Sequence, residues 1–214
     1  MDLYMQNNSL FISLEGIDGC GKSSLIEKLI TRLAQHSVLC IREPGGTVIS
    51  EKIRDMLLDI KNKGIIPRTE ALLYMAARSQ LVEEIINPGL AAGKIVLADR
   101  YIDSTVAYQG YGRGLEINLL KTLNQFCTGG LKPHLTLLLD ITPEEGERRR
   151  RTDIPDRLEK EGITFQEKVR EGYLQLAREE PDRIKIIDAA KEIEAVADEA
   201  MHYIQPLLDK KDPS

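Results

Sequence analysis

Leu10-Phe11-Ile12-Ser13-Leu14-Glu15-Gly16-Ile17-Asp18-Gly19-Cys20-Gly21-Lys22-Ser23-Ser24 is the stretch on which the fold turns. Leu10 to Leu14 is a short apolar run that stops at glycines, the profile of a buried strand. From Ser23 to His36, Leu25, Ile26, Leu29, Ile30 and Leu33 recur every three or four residues, which predicts an amphipathic helix. Between the two, Gly16 to Ser23 fits G-x-x-x-x-G-K-[ST]. Glycines in this setting let backbone N–H groups converge on phosphate oxygens, and the helix N-terminus adds unpaired donors and a favourable dipole. A strand before the glycines and a helix after them is the context of a phosphate-binding P-loop.

Outward from this motif, strands and helices alternate. Val38 to Ile41 reads as a second strand, closed by the breaker Pro44-Gly45-Gly46. A helix is predicted from about Ser50 to Leu58. A longer one runs from about Thr69 to Ile86, with Leu72, Met75, Leu81, Val82 and Ile85 on one face and Pro88 near its end. Ile95 to Ala98, Leu135 to Leu139 and Ile184 to Ile187 supply three further strands. Leu119, Leu120 and Leu123 mark a helix between strands three and four, and Glu192 to Leu208 the last one. This order predicts a single α/β domain over residues 1–214, a P-loop NTPase fold with a five-stranded parallel sheet and helices on both faces. Its crossovers are expected to be right-handed.

Composition narrows the function. In 214 residues, 29 basic side chains face 34 acidic ones, a formal charge of −5, which argues against a non-specific nucleic-acid binder. Cys20, Cys40 and Cys127 are odd in number and form no C-x-x-C pair, so neither a disulfide framework nor a zinc knuckle is expected. No apolar run reaches the roughly 18 residues of a membrane span, and Met1 to Ser9 is polar. The expectation is a reduced, soluble, cytoplasmic protein. His36, His134 and His202 lie outside every motif. A guanine-nucleotide switch would need N-K-x-D; the nearest text, Asn62-Lys63-Gly64-Ile65, lacks the aspartate. A binding switch is therefore the weaker alternative to an enzyme.

Three charged clusters follow strand ends, where open α/β sheets bind ligands. They are Arg42-Glu43-Pro44-Gly45-Gly46-Thr47, then Asp99-Arg100-Tyr101, then Arg148-Arg149-Arg150-Arg151 with Asp156-Arg157. Each brings a guanidinium, which can grip a phosphate through two parallel hydrogen bonds. In the P-loop, Lys22 is expected to reach the β- and γ-phosphates of ATP and the Ser23 hydroxyl to ligate Mg²⁺. Gly16, Ile17, Asp18, Gly19, Cys20, Gly21, Lys22, Ser23 and Ser24 make up the expected ATP site.

With Glu15-Gly16-Ile17-Asp18-Gly19, Thr69-Glu70-Ala71-Leu72-Leu73-Tyr74 through Arg78, Asp99-Arg100-Tyr101 through Ser104, Ala107-Tyr108-Gln109-Gly110 and Asp156-Arg157-Leu158-Glu159, the chain resembles the thymidylate kinase family. The resemblance implies ATP + dTMP giving ADP + dTDP with Mg²⁺; a kinase for another deoxynucleoside monophosphate is the runner-up. It implies that Arg42 holds the dTMP phosphate and that Tyr74, where the family usually has phenylalanine, stacks on thymine. Arg78 would donate to the thymine O4, and Ser104 and Thr105 would contact the base. Tyr108 would pack near the sugar C2′, Asp18 would accept from the 3′-hydroxyl, and Gln109 would lie near the same pocket. Asp99 would bind Mg²⁺, directly or through water. Lys22, Arg100, Arg149 and Arg151 would be catalytic, with Arg157 a further lid arginine.

Because Gly19 and Cys20 are uncharged and the text near residues 146–160 is basic, the chain resembles the lid-arginine type common in bacteria, with a small mobile lid there. Thr152 to Pro155 departs from the usual lid spacing. The family is usually homodimeric. Cys20 is either a small residue filling the loop or a thiol whose alkylation inhibits and from which ATP protects.

Overall fold

The computed structural model describes residues 9–150 and 156–210. Its strands are β1 (Leu10–Glu15), β2 (Val38–Arg42), β3 (Ile95–Asp99), β4 (Leu135–Asp140) and β5 (Ile184–Asp188). They pair in parallel in the order β2-β3-β1-β4-β5. Each strand runs one residue past the apolar pattern, and each added residue is charged: Glu15, Arg42, Asp99, Asp140 and Asp188. Apolar periodicity is blind to these positions because they are charged residues at the carboxyl edge of the sheet, of which Glu15 alone is fully buried. The chain winds outward from β1 to β2, returns to β3, and crosses to β4 on the other side of β1. That reversal makes a crevice beside β1, the usual ligand site of such sheets.

Helix α1 (Lys22–Arg32) opens directly from the P-loop, and α2 (Val48–Leu58) is capped by the Thr47 hydroxyl, which accepts from the Ser50 amide at 3.1 Å. The predicted long helix is α3 (Pro67–Leu81). It continues through a π-helical turn, Val82–Ile86, into α4 (Asn87–Ala91), where Pro88 sits harmlessly in the first turn. Its buried face differs from the apolar stripe read from the sequence. Leu72 is 57% exposed, whereas Glu70 and Arg78 are buried. Met75, Leu81 and Val82 are buried as read, but the ion-paired Glu70 and Arg78 share the inner face and Leu72 lies outside it. Next come α5 (Ile102–Thr105), a π-helical stretch Val106–Gly112, α6 (Ile117–Cys127) and α7 (Pro143–Arg149). A short 3₁₀ turn (Glu159–Glu161), α8 (Ile163–Glu179) and α9 (Ile193–Asp209) complete the order.

The periodicity reading names no helix at α8. Its buried face mixes Phe165, Val169, Leu176 and Ala177 with Gln166, Gly172 and Tyr173, so the stripe is broken by residues that do not read as core. Side chains of β1 alternate across the sheet. Leu10, Ile12 and Leu14 join the larger apolar cluster and Phe11 the smaller one; Ser13 and Glu15, on the Phe11 side, are fully buried polar groups.

The P-loop and α7 touch backbone to backbone. A Cβ on Gly19 would lie 2.3 Å from the Gly146 carbonyl oxygen, and one on Gly146 would lie 2.6 Å from the Asp18 carbonyl oxygen. The base of the expected lid therefore rests directly on the phosphate loop. Replacing Gly146 by alanine is expected to cost about 1–3 kcal/mol of stability, because backbone rather than a flexible side chain must give. A denaturant titration of Gly146→Ala checks this, and a loss smaller than about 0.5 kcal/mol would contradict the contact.

Candidate active site

The carboxyl edge of the sheet opens into a cleft of about 800 Å³. Its walls include Asp18 to Ser24, Arg42, Tyr74, Arg78, Asp99, Arg100, Ser104, Thr105, Tyr108, Gln109 and Arg149. The structure thus brings most of the residues singled out from the sequence to one place. Gly16 and Ile17 lie behind the loop, and Arg151 falls outside the described residues.

Lys22 Nζ folds over the P-loop and donates to the Gly16 and Ile17 carbonyls at 3.4 and 3.3 Å, and to Cys20 Sγ at 3.6 Å. Cys20 is 1% exposed and packs in the main core, the loop-filling alternative of the two read from the sequence. Ser23 and Ser24, by contrast, face outward at the start of α1.

Arg100 is the centre of the polar network. Its NH1 donates to the Gly16 carbonyl at 2.9 Å, to Tyr173 OH at 3.2 Å and to Ser104 Oγ at 3.3 Å. Its NH2 pairs with Asp18 and donates to Tyr108 OH at 3.1 Å. Tyr108 OH in turn donates to Asp18 Oδ2 at 3.0 Å, and Gln166 Nε2 to the same oxygen at 3.2 Å. Burial pushes the Asp18 carboxyl up, but Arg100 and Lys22 outweigh it and hold the group below its usual range.

Arg78 is 1% exposed, and each of its three guanidinium nitrogens donates a hydrogen bond. Nε and NH2 meet Glu43 Oε2 at 2.7 and 2.6 Å, and NH2 also donates to the Tyr101 carbonyl at 2.9 Å. NH1 donates to Thr105 Oγ1 at 2.8 Å and to Asn124 Oδ1 at 2.7 Å. Tyr74, one turn before Arg78, is half-buried, and burial raises its phenol. Gln109 Nε2 donates to Glu70 at 3.0 Å.

At the other wall, Arg42 pairs with Glu51 at 3.0 Å and is half exposed, while Arg54 donates to the Pro44 carbonyl at 2.8 Å. From α7, Arg149 donates to Glu145 at 2.7 Å and to the Ala189 carbonyl at 2.9 Å. Arg148 and Arg149 together hold the partly buried Glu145 carboxyl down at about 2. Arg157 is tied elsewhere, to Glu70 at 2.7 Å and to the Leu57 carbonyl at 2.7 Å, and so fastens this end of the expected lid to α2 and α3.

Asp99 Oδ1 is buried with no hydrogen-bond partner, which fits a cation or its water shell. Among the described residues no three Asp, Glu, His or Cys side chains gather as a metal cage. A divalent ion here would have to be shared with phosphate oxygens, the habit of Mg²⁺ rather than of a structural metal.

Several residues that line the cleft or bond to its lining side chains carry no signal in the sequence. Asn124 sits in an ordinary amphipathic helix, and Tyr173 and Gln166 come from the unread helix α8. Arg54 lies mid-helix among charges. Glu15 adjoins the glycine motif, which gave the one available hint.

The thymidylate kinase family model matches residues 14–200. A thymidylate kinase of Thermoanaerobacter sp. (strain X514) is 48% identical over 200 residues, covering 92% of this chain and 98% of that protein. One from Syntrophotalea carbinolica is 49% identical over 205 residues, covering 92% and 93%. The crystal structure of thymidylate kinase from Ehrlichia chaffeensis superposes with a TM-score of 0.76 at 33% identity, covering 92% of this chain and all of that one. With its P-loop, its arginine-lined cleft and these likenesses over nearly its whole length, the chain belongs to the thymidylate kinase family.

Proposed function

We propose that this chain transfers the γ-phosphoryl group of ATP to the phosphate of dTMP, giving ADP and dTDP. The observation that carries this reading is the convergence of Lys22, Arg42 and Arg100 on one cleft that Tyr74, Arg78 and Tyr108 also line. Phosphoryl transfer asks for positioning and charge neutralisation more than for covalent chemistry. The acceptor phosphate is itself an adequate nucleophile, so no general base is assigned. Lys22 holds the β- and γ-phosphates, Arg42 holds the acceptor phosphate, and Arg100 reaches both at the transfer point. Arg149 and Arg151 join from the lid as it closes and excludes water. Ser23 and Asp99 are the residues that would hold Mg²⁺, which when bound neutralises charge on the β- and γ-phosphate oxygens.

For the acceptor, Tyr74 stacks on the base and Ser104, Thr105 and Gln109 line its edge. Donation from Arg78 to a carbonyl at O4 competes with bonds that its nitrogens already make. The bonds from NH1 to Thr105 and Asn124 involve neutral acceptors and yield more readily than the paired bonds to Glu43. Asp18 takes the 3′-hydroxyl, and the buried Tyr108 ring leaves no room for a 2′-hydroxyl.

The reading extends to a homodimer. Val48 and Met56 on α2, Leu72 on α3 and Phe126 on α6 are each at least half exposed, and α3 packs against both α2 and α6. Such a patch on adjacent helices fits a second copy of the chain. Among the described residues no helix is long and apolar enough to cross a membrane. ATP as donor fits a cytoplasmic setting.

ADP release with Mg-ATP and each of dTMP, dUMP, dCMP, dGMP and UMP tests the activity. Strong turnover is expected with dTMP, less with dUMP and almost none with UMP, and chelation of Mg²⁺ is expected to abolish it. No dTMP-dependent release would refute the reading, and preference for another deoxynucleotide would install the runner-up. Glu43→Gln leaves the buried Arg78 charge uncompensated and is expected to cost about 3 kcal/mol in a denaturant titration. It should also raise KM for dTMP while leaving KM for ATP in place. Phe126→Glu is expected to shift the sedimentation coefficient from dimer to monomer; a wild-type monomer would contradict the interface.

A further inference from the structure

Arg100 has a φ of 72° and, among the described residues, is the one non-glycine residue in the left-handed region. Such a conformation is costly for an arginine and persists only where its surroundings impose it. The imposing contacts are visible. The Arg100 amide donates to the Leu14 carbonyl at 3.0 Å, and the next amide, that of Tyr101, donates to Glu15 Oε1 at 2.7 Å. Glu15 Oε2 accepts from Ser104 Oγ at 2.6 Å and from Tyr173 OH at 2.9 Å. These two hydroxyls are the ones that accept from Arg100 NH1 at 3.3 and 3.2 Å. Glu15 therefore grips Arg100 twice, through the main chain just beyond it and through two oriented hydroxyls.

The charge of Glu15 decides which way those hydroxyls face. A carboxylate can accept both protons, in which case neither hydroxyl donates across the 2.7 Å between Ser104 Oγ and Tyr173 OH and both turn lone pairs toward the guanidinium. A neutral carboxyl must donate one hydrogen bond itself, and the hydroxyl that receives it redirects its own proton away from Glu15, to the other hydroxyl 2.7 Å away or toward Arg100. We propose that Glu15 is a positioning residue for phosphoryl transfer, its carboxylate holding the Arg100 backbone and guanidinium in the geometry that meets both phosphates. This rests on the reading of Arg100 as the arginine at the transfer point.

The surroundings make the charge conditional. Glu15 is fully buried. Burial, with the Asp103 carboxylate of α5, pushes its carboxyl from 4.5 up to about 7 against the opposing pull of Ser104, Arg100 and the Tyr101 amide. Asp103 is itself bound by Arg183 at 2.7 and 2.8 Å. From α8 the facing group is the Tyr173 phenol; Tyr108 and Asp18 act through Arg100, and Lys22 is turned to the Gly16 and Ile17 carbonyls. Asp99 is in register with Leu14, whose side chain points to the opposite sheet face from that of Glu15. A carboxyl raised on folding supports stability fully below its unfolded value and loses that contribution as pH rises through its folded one. A residue kept only for structure would do better there as glutamine.

The test compares wild type, Glu15→Gln and Tyr173→Phe from about pH 6 to about pH 8.5, measuring kcat, both KM values and the melting temperature. For Glu15→Gln, kcat at the alkaline end is expected to be about tenfold below wild type with both KM values within about twofold. The wild-type to variant ratio closes toward one at the acid end; titration of the dTMP phosphate affects both proteins and cancels. The melting temperature of the variant is expected to gain on wild type as pH rises. Tyr173→Phe removes a donor to the carboxylate and is expected to move the acid limb to higher pH. A rate ratio independent of pH, or a change confined to KM, overturns the proposal. If Glu15→Gln shows no cooperative melt, an unmoved acid limb in Tyr173→Phe overturns it alone. Absence of dTMP-dependent ADP release by wild type, instead, removes the reading on which it rests.

Discussion

The pairing of the Arg100 guanidinium with Asp18, while the same group spans Gly16, Ser104, Tyr108 and Tyr173, ties the site together. Its partners belong to four separately encoded segments: the P-loop, α5, the π-helical stretch and α8. A cation held on so many sides is preorganised, so little reorganisation is left for the moment when charge develops. The strained backbone at Arg100 is where that order is concentrated.

A cleft that must bring two phosphate-bearing molecules together needs many cations, and a chain of net charge −5 must keep them from repelling one another. The solution is pairing in advance. Arg42 has Glu51, Arg78 has Glu43, Arg100 has Asp18, Arg149 has Glu145 and Arg150 has Glu159. The exposed Arg42–Glu51 pair is weak and can be exchanged for phosphate at low cost. The buried Arg78–Glu43 pair cannot, because breaking it leaves an uncompensated charge. Exposure therefore separates Arg42, free to grip a phosphate, from Arg78, which builds a wall.

The P-loop was legible because its chemistry is local: glycines, lysine and serine at fixed spacing between a strand and a helix. The clusters around Arg42 and Asp99-Arg100 were legible for the same reason, since each directly follows an apolar run. Helix α8 was not, because its inner face includes Gln166 and Tyr173, which point at polar partners that only the fold supplies. The buried face of α3 was misread at Leu72 for the same cause: Glu70 is drawn inward by Arg113, Arg157 and Gln109, all distant in the chain.

By itself the sequence determined the alternation of strands and helices, the phosphate loop, and the residue types that end each strand. These depend on neighbours within a few positions, where spacing and chemistry are enough. Tertiary structure alone decided which arginines are spent on pairing and which face the cleft, and that Glu15 stands behind Arg100. Those outcomes are set by burial and by partners up to 158 residues apart, as Glu15 and Tyr173 are. In a low-dielectric interior the position of such a partner decides whether a side chain is charged and where it points.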